Sequence, residues 1–430
     1  MSLLYIKKSM ALQGQVTPPS SKSHSIRAII LATLSCGGSI LTNILHSDDT
    51  RDAIVACKQL GACITESSGA LIVNNNGLPL SILDTEINCG NSGVTTHCIM
   101  PILGLRQNTN QPIILNCGTQ MRARPIKSLV DALNQLGLDI QYIENTNTLP
   151  VRITKKLMGG KVLLDGISSQ HLSALLIALP CAQQDSEIIV KNLSSRPYAD
   201  MTLNYLKEQG IQFRHKISSE IDVFYIKGGQ KYHAFNTEIP GDFSSASYLI
   251  AASALIPGEV ILDGLSMTDL QGDKELVTIL KKMGADITIE PRRLIIRGGK
   301  KLTGIKIDAN MIPDLLPTLA VIGTYAMGKT EIINCKHARI KETDRIHSMS
   351  EGLKKLGAKI AEKKDGLVIY ESKLVGNHVK GYGDHRTVMA LCVAGMIADG
   401  ATIIDDAEAI DKTFPTFVKI MQSIGAKIRL

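Results

Sequence analysis

Basic and hydroxyl side chains recur where polar sequence runs into a strongly apolar stretch. In the first such segment, SSKSHSIRAIILATL, the candidates are Lys22, Ser23 and Arg27. If the apolar stretch is a helix, these side chains lie in its first turns, where the helix dipole and unpaired backbone amides favour an anion. The alternative is a capped amphipathic helix whose Lys and Arg are merely solvated. The pattern favours binding of a phosphate or a carboxylate.

Similar groups stand at corresponding points further along the chain. The segment GNSG is a small-residue loop whose backbone can approach a ligand closely, and MRARP contains arginines suited to bidentate binding of carboxylate or phosphate. The segments GISSQH and SSRPYAD add neutral donors, which on their own could be ordinary helix caps. These candidates are Asn91, Gly93, Arg122, Arg124, Ser168, Ser169, Gln170, Ser195 and Tyr198.

Acidic and basic residues that could move protons occur together in later segments, NMIPDL, ARIKETDR, GDHR and DKTFP. The candidates are Asp314, Lys341, Glu342, Arg345, His385, Arg386 and Lys412. A solvated charge run and a structural histidine are the alternatives here. Many cations, several hydroxyls and few carboxylates predict two phosphorylated or carboxylated substrates, with Asp314 or Glu342 transferring protons.

These candidates follow a repeat. Six segments end in a similar pentapeptide around a glycine, and the glycines are 68 to 76 residues apart, at Gly61, Gly137, Gly210, Gly284, Gly357 and Gly425. A helical pattern precedes each glycine, as expected for a helix C-cap, and a β-prone run follows it. Each unit therefore reads approximately as βαβαββ, and the predicted fold class is α/β with six such repeats.

The segment GTYAMGKT, residues 323–330, fits G-x-x-x-x-G-K-[ST], the phosphate-binding loop of nucleotide hydrolases. That loop needs a strand before it and a helix after it. Here a helical pattern precedes the segment and a β-prone run follows. We therefore expect a connecting turn rather than a nucleotide site.

The six repeats divide naturally into three and three, with a break near TEIPGDFSS. We expect one lobe at 21–238 with repeats 1–3 and a second lobe made of 1–20 plus 239–430 with repeats 4–6. The hinge crossovers are expected near 17–21 and 238–242. The N-terminal strand LLYIKK would then return to a sheet of the second lobe. A cleft between such lobes would suit a small anionic ligand.

Composition excludes several classes of protein. The longest nearly unbroken apolar run, VMALCVAGMIA, is too short to span a membrane, and the N-terminus lacks a signal pattern, so we expect a soluble cytoplasmic protein. Nine cysteines without a CxxC pair indicate neither a disulfide framework nor a zinc site. The net charge of +7 suits a polyanionic substrate, while the absence of Trp argues against nucleic acid. No metal cluster or dinucleotide-binding fingerprint is evident.

Eleven segments, in chain order and over the full length, resemble the EPSP synthase family. They are SKSHSIRA, GNSG, RARPI, SSQHLSALL, RPYADMTL, GDFSSASY, QGDKE, IPD, ARIKETDR, GDHRTVMA and KTFP. The resemblance implies a two-lobed inside-out α/β barrel and a monomer that works without metal or organic cofactor. It also implies transfer of the enolpyruvyl group of phosphoenolpyruvate to the 5-hydroxyl of shikimate 3-phosphate, through a tetrahedral intermediate that then loses phosphate.

The resemblance also implies roles for the candidate residues. Those expected to hold shikimate 3-phosphate are Lys22, Ser23, Arg27, Ser168, Ser169, Gln170, Ser195, Asp314 and Lys341. Those expected to hold phosphoenolpyruvate are Lys22, Asn91, Gly93, Arg124, Gln170, Arg345, Arg386 and Lys412. Asp314 would take the proton of the 5-hydroxyl and Glu342 would protonate the methylene carbon. Lys22 and Lys412 are rivals or helpers in that step, and His385 is a further catalytic candidate.

Three positions depart from the family pattern. Val94 and His97 stand where the family usually has Thr and Arg, and His337 stands where many members have Asn. A valine lacks the hydroxyl, and a histidine is a weaker, pH-dependent cation. We therefore expect a reshaped phosphoenolpyruvate end and weaker binding of glyphosate, which occupies that end in the family.

Two other functions are compatible with the same pattern. A sister enzyme transfers enolpyruvate to UDP-N-acetylglucosamine, but it carries a reactive cysteine where this chain has Thr119, with Cys117 two residues out of register. A homologue that binds without turnover is the second alternative. The presence of both Asp314 and Glu342 argues against it.

Overall fold

The six repeat glycines end helices, as their spacing predicts. All six have positive φ angles, between 69° and 104°. Glycine adopts this left-handed region without strain, and there it ends a helix and turns the chain toward the next strand. The computed structural model describes residues 2–144, 146–218 and 221–430, which include all six of these helix ends.

Short strands follow one another along the whole chain. Those of the first part are β1 (Leu4–Lys7), β2 (Leu12–Val16), β3 (Ser35–Thr42), β4 (Cys63–Ser67), β5 (Ala70–Asn76), β6 (Glu86–Asn88), β7 (Ile113–Asn116), β8 (Asp139–Tyr142), β9 (Val151–Thr154), β10 (Gly160–Asp165), β11 (Ser186–Lys191), β12 (Phe213–Ile217), β13 (Ile221–Ile226), β14 (Tyr232–His233) and β15 (Asn236–Glu238). Those of the second part are β16 (Gly258–Asp263), β17 (Asp286–Glu290), β18 (Arg293–Gly298), β19 (Lys306–Asp308), β20 (Lys329–Ile333), β21 (Lys359–Lys363), β22 (Gly366–Tyr370), β23 (His378–Val379), β24 (Ala401–Ile404) and β25 (Ile428–Arg429).

Helices alternate with these strands. The α-helices are α1 (Lys22–Leu34), α2 (Asp48–Gln59), α3 (Gly93–Ile102), α4 (Thr119–Arg122), α5 (Lys127–Gln135), α6 (Ser169–Ala178), α7 (Arg196–Glu208), α8 (Phe243–Leu255), α9 (Glu275–Met283), α10 (Leu316–Tyr325), α11 (Arg345–Lys355), α12 (His385–Ile397) and α13 (Phe417–Ser423). Short 3-10 helices lie at Leu103–Leu105, Leu179–Cys181, Gly272–Lys274, Pro313–Leu315, Lys336–Ile340 and Ala407–Lys412.

The third repeat shows the βαβαββ unit in full. Its order along the chain is β10, α6, β11, α7, β12 and β13. β10 and β11 are parallel, while β13 runs antiparallel between β11 and β12, giving the sheet order β10-β11-β13-β12. The other repeats give sheets of the same kind, six in total over the described ranges. The predicted α/β class and repeat are confirmed.

The chain divides into two compact units. Residues 22–239 form one of them, here called the continuous unit, and residues 1–21 with 240–430 form the other, called the split unit. These limits lie one residue from those expected from the sequence. β1 pairs with β24 and β25, so the N-terminal strand belongs to a sheet of the split unit, as predicted. In the continuous unit, β14 and β15 complete the first sheet by pairing with β3.

In each unit, apolar helices lie inside and sheets lie outside. All thirteen residues of α8 are buried, and a helix that is apolar on every side must be enclosed by protein. Strands such as β1 alternate buried and exposed residues, so one face of each sheet covers the helices and the other meets solvent. The polar helix starts therefore belong to buried helices.

The segment GTYAMGKT is a turn between a helix and a strand. α10 ends within it at Tyr325, and β20 begins at Lys329. The order is the reverse of a phosphate-binding loop, and the expectation of a connecting turn is confirmed. No helix in the described ranges combines the length and apolar character needed to cross a membrane.

Candidate active site

Lys22 opens α1 and is held by a carboxylate of the neighbouring helix. Its Nζ lies 3.0 Å from Oδ2 of Asp49, in the first turn of α2. Asp49 is buried and Lys22 is only partly accessible, so the ammonium is kept in one place by its partner. Sequence reasoning missed Asp49. The acidic run at the start of α2 was its only signal.

Arg27, one turn into the same helix, is buried among neutral acceptors. Its Nε donates to Thr202 Oγ1 at 2.8 Å, and its Nη2 donates to Ser173 Oγ and to the Tyr198 carbonyl, both at 3.1 Å. Its Nη1 donates to the Ser23 carbonyl at 3.0 Å. Burial lowers the pKa of Arg27. These bonds use four of the five N–H groups, so Arg27 mainly fixes α1 against α6 and α7.

Four serine hydroxyls at helix starts have no hydrogen-bond partner among the described residues. Ser168 and Ser195 occupy the N-cap positions of α6 and α7, yet neither side chain caps its helix. The reading of ordinary capping hydroxyls is therefore wrong for these two. Ser195 also has a left-handed backbone, with φ of 51°, which is uncommon for a residue other than glycine. The other two hydroxyls are those of Ser23 and Ser169.

Gly93 opens α3 between two of the predicted ligands. A Cβ added at Gly93 would lie 2.6 Å from Nη1 of Arg124 and 3.3 Å from Oε1 of Gln170. A side chain at this position would therefore require the end of Arg124 to shift. The Gln170 oxygen also lies 2.8 Å from Nδ1 of His97, one turn further along α3. The structure therefore brings Gly93, Arg124, Gln170 and His97 together.

The Asn91 side chain hydrogen bonds to the backbone. Its Oδ1 accepts from the amides of Gln120 and Met121 in α4, at 3.1 and 3.3 Å. These bonds fix the short helix that precedes Arg124. Its role toward phosphoenolpyruvate stays a prediction, and its described contacts make it a residue that positions Arg124. Arg122 is exposed and donates to Asn116, away from this group.

In the split unit, Arg345 is the centre of a carboxylate network. It is buried at the start of α11 and donates to Asp384 and Asp314, both at 2.8 Å, and to Glu342. Burial would lower the pKa of Arg345, but Asp384, Glu342 and Asp314 outweigh it, and the pKa is raised. Asp384 is also the N-cap of α12, where its Oδ1 accepts from the amide of Arg386 at 2.8 Å.

Asp314 forms ion pairs with further cations of this unit. Its Oδ2 accepts from Nη2 of Arg386 at 2.9 Å, and its Oδ1 lies 3.7 Å from Nζ of Lys341. Burial would raise the pKa of Asp314, but Arg386, Lys341 and Arg345 hold it well below its usual value. The predicted residues Asp314, Lys341, Glu342, Arg345 and Arg386 therefore form one contiguous group.

Two histidines border this group, and the 3-10 helix that carries Lys412 packs against α12. His385 is fully buried in the first turn of α12, with Nδ1 3.7 Å from Asp384 Oδ1. Lys412 ends the 3-10 helix Ala407–Lys412 and is almost buried. Burial lowers the pKa of His337 to about 4, so this histidine is neutral at pH 7. Among the residues described, no cluster of three or more His, Cys, Asp or Glu side chains is arranged to hold a metal ion.

Comparison with known proteins identifies the family of the chain. The family model of EPSP synthase (3-phosphoshikimate 1-carboxyvinyltransferase) matches residues 6–421. A 3-phosphoshikimate 1-carboxyvinyltransferase of Acetivibrio thermocellus is 44% identical over 426 residues, covering 99% of both chains. Another, from Methanocaldococcus jannaschii, is 41% identical over 436 residues and covers 100% of both chains.

Solved structures show the same fold. EPSP synthase from Acinetobacter baumannii has a TM-score of 0.84 at 24% identity, over 100% of this chain and 99% of that one. The enolpyruvyl transferase NikO from Streptomyces tendae has a TM-score of 0.79 at 15% identity, over 99% of this chain and 98% of that one. The fold, the family model and the relatives agree, and the chain belongs to the EPSP synthase (3-phosphoshikimate 1-carboxyvinyltransferase) family.

Proposed function

We propose that the chain transfers the enolpyruvyl group of phosphoenolpyruvate to the 5-hydroxyl of shikimate 3-phosphate. The 5-oxygen adds to C2 of phosphoenolpyruvate while C3 gains a proton, and the 5-hydroxyl loses its own. The C2–O bond to phosphate then breaks and C3 loses a proton, which restores the double bond. Cations and donors placed in advance stabilise the charges of both steps.

The observation that carries the proposal is the set of hydroxyls in the continuous unit that have no hydrogen-bond partner among the described residues. Ser23, Ser168, Ser169 and Ser195 all lie at helix starts, where a phosphate gains from the helix dipole and from neutral donors. We propose that they bind shikimate 3-phosphate and that the buried guanidinium of Arg27 provides positive charge. Lys22, Gly93, Arg124 and Gln170 of the same unit are proposed to bind phosphoenolpyruvate.

The split unit is proposed to handle the protons. Asp314 is ionised, but its low pKa makes it a weak base while two arginines bind it. If phosphoenolpyruvate draws Arg386 onto its own anionic groups, Asp314 loses one cation and its pKa rises. Substrate binding would thereby raise the basicity of Asp314 at the time when it must accept the 5-hydroxyl proton. Glu342 is proposed as the donor to C3, with Lys412 and Lys22 as rivals, and Lys341 as a ligand of shikimate 3-phosphate.

The sister reaction with UDP-N-acetylglucosamine is less well supported. A reactive cysteine needs a thiolate, which requires a lowered pKa. Burial instead raises the pKa of Cys117 to about 11, even though Arg122 and Arg124 act in the opposite direction. The relatives carry the shikimate name as well. The monomeric state and cytoplasmic location expected from the sequence stay predictions.

The test is release of inorganic phosphate from phosphoenolpyruvate with shikimate 3-phosphate or with UDP-N-acetylglucosamine as acceptor. We expect release with the first acceptor alone. Release with the second, or with neither, would overturn the proposal. Glu342→Gln and Lys412→Ala then separate two of the three candidate proton donors, because only the loss of the true donor should abolish exchange of solvent hydrogen into C3.

Adjacent serines give a matched control for the phosphate ligands. The Ser195 hydroxyl has no described partner, whereas Ser194 Oγ donates to the carbonyls of Gly166 and Ile167. We expect Ser195→Ala to raise KM for shikimate 3-phosphate about tenfold, the effect of a hydrogen bond to a charged group, with little change in stability. Ser194→Ala should lower stability and leave KM nearly unchanged. The opposite pattern would remove Ser195 from the proposed site.

A further inference from the structure

We propose that His97 is a positioning residue which, as a neutral imidazole protonated at Nδ1, holds the oxygen of Gln170 so that the amide NH2 group faces an anionic ligand. This proposal rests on the proposed function, in which Gln170 binds phosphoenolpyruvate. It gives a role to a histidine that stands where an arginine is expected from the family resemblance.

The contact between the two side chains defines the tautomer. His97 Nδ1 lies 2.8 Å from Oε1 of Gln170. An amide oxygen only accepts, so Nδ1 must carry the hydrogen, and Nε2 is then unprotonated in the neutral ring. The backbone of Gly93, one turn earlier in α3, also hydrogen bonds to this ring. Nε2 itself has no partner among the described residues.

The surroundings keep the ring uncharged. His97 is buried, and burial acts first to lower its pKa. His171 of α6 packs its ring edge-on at a centroid distance of 4.8 Å, and Arg124 adds a positive charge nearby. Gln170 and Gly93 act in the opposite direction, but the pKa stays well below the usual value. His97 therefore contributes a donor and no charge.

The contact with His97 fixes the orientation of the Gln170 side-chain amide. With Oε1 bound to His97, the NH2 group has two donors that bond to no described residue. The opposite amide orientation would turn the oxygen toward the ligand, where it would repel a carboxylate or phosphate. His97 thus excludes the unfavourable orientation, and Arg124, beside Gly93, provides the charge that the arginine would otherwise add.

The first test is spectroscopic and independent of activity. In 15N-labelled protein, the imidazole nitrogens of His97 are assigned by the signals that disappear in His97→Asn. We expect a neutral ring with a protonated Nδ1, unchanged between pH 6 and 8. A ring protonated at Nε2, or one that becomes a cation within this range, would overturn the proposal.

The second test compares two amide substitutions. In His97→Asn the side-chain NH2 group takes the place of Nδ1, whereas in His97→Gln it takes the place of Nε2. We expect Asn to keep KM for phosphoenolpyruvate within about twofold and Gln to raise it about three- to tenfold, the range of one neutral hydrogen bond. KM for shikimate 3-phosphate should be unchanged in both. Equal effects of Asn and Gln, or equal effects on the two substrates, would contradict the positioning role.

The two proposals fail in different ways. If the wild-type chain releases no phosphate with shikimate 3-phosphate, the proposed function fails, while the nitrogen signals of His97 still decide its tautomer. If activity is present but the Asn and Gln variants do not differ, only the role of His97 fails. Thermal unfolding of both variants is measured as well. A purely structural role would change the unfolding temperature of the variants without making their KM values for phosphoenolpyruvate differ.

Discussion

Arg27 of the continuous unit and Arg345 of the split unit are equally buried, each with 1% of its surface exposed, but their charges are balanced differently. Arg345 donates to three carboxylates, and its pKa is raised. Arg27 donates only to hydroxyls and carbonyls, and burial lowers its pKa. A buried charge without a counter-charge is unfavourable, since neutral dipoles replace only part of its hydration.

This difference indicates that the two units have different roles. The split unit carries its own counter-charges, so its cations and its two proton-transfer candidates are held in place by the protein. The continuous unit leaves positive charge at Arg27 that a bound anion can balance, and it also carries serine hydroxyls that no described residue binds. We infer that binding energy for shikimate 3-phosphate comes mainly from the continuous unit. The following substitutions test this comparison.

The largest effect is expected from Arg345→Met. Removing the guanidinium leaves Asp384, Asp314 and Glu342 close together without their shared partner. Breaking a buried ion pair from one side lowers the free energy of unfolding by about 3–5 kcal/mol. Urea unfolding at pH 7 measures this loss. A loss below about 1 kcal/mol would mean that the network is not what organises the split unit.

Arg27→Met should affect substrate binding more than stability, the reverse of Arg345→Met. No carboxylate among the described residues depends on Arg27, so the loss in unfolding free energy should be about 1.5–3 kcal/mol, the range of a hydrogen bond between a charged and a neutral group. KM for shikimate 3-phosphate should rise about tenfold or more, the effect of removing a charge that acts on a phosphate. Steady-state kinetics and urea unfolding of this variant are compared with those of Arg345→Met. Equal losses of stability in the two would remove the distinction between the units.

Gly93→Ala tests whether Arg124, the arginine of the continuous unit that is proposed to bind phosphoenolpyruvate, can move. The added methyl would lie 2.6 Å from Nη1 of Arg124, so the end of that side chain must shift. The φ angle of Gly93 is not in the left-handed region, and the helix itself should accept alanine. We expect KM for phosphoenolpyruvate to rise about tenfold because reacting groups are misplaced, with nearly unchanged stability. An unchanged KM would place Arg124 outside the phosphoenolpyruvate site.

The fold was predictable because its signals repeat. One C-cap glycine is a weak indication, but six at similar spacing identify a unit, and the positive φ angles confirm each of them. Pairing of β1 within the split unit was also predictable. The completion of the first sheet by β14 and β15 was not, because two- and three-residue strands carry too little pattern to recognise.

The candidate site was predictable in residue type but not in charge state. The cations and serines at helix starts are visible in the sequence. The partners that set their chemistry are not, since Ser173 and Thr202 reach Arg27 from α6 and α7, and Asp384 reaches Arg345 across 39 residues. His97 illustrates the same limit. The sequence predicts a pH-dependent cation, whereas burial, with His171 beside the ring, holds the pKa of His97 well below its usual value.

Asp52→Asn tests a carboxylate that forms no ion pair with any described residue. Burial, followed by the charge of Asp49, raises the pKa of Asp52 to about 6, above the unfolded value of about 3.9. Ionised Asp52 therefore disfavours folding above pH 6, and its favourable contribution is complete only below about pH 4. The variant should be more stable at pH 8, by less than about 1 kcal/mol because Asp52 is half-exposed, and the gain should vanish near pH 4. A gain that is constant with pH would exclude titration of Asp52 as its cause.

The smallest effect is expected from Val94→Thr, which restores the hydroxyl that the family pattern has beside Gly93. Val94 is the second residue of α3 and is 8% exposed, so the hydroxyl would lie at the same helix start as Arg124 and Gln170. One additional neutral hydrogen bond should strengthen glyphosate inhibition about threefold and lower KM for phosphoenolpyruvate by a similar factor. Inhibition assays at fixed shikimate 3-phosphate measure both effects. Unchanged inhibition would mean that Val94 does not weaken glyphosate binding, and that the departure at His97 alone reshapes the phosphoenolpyruvate end of the continuous unit.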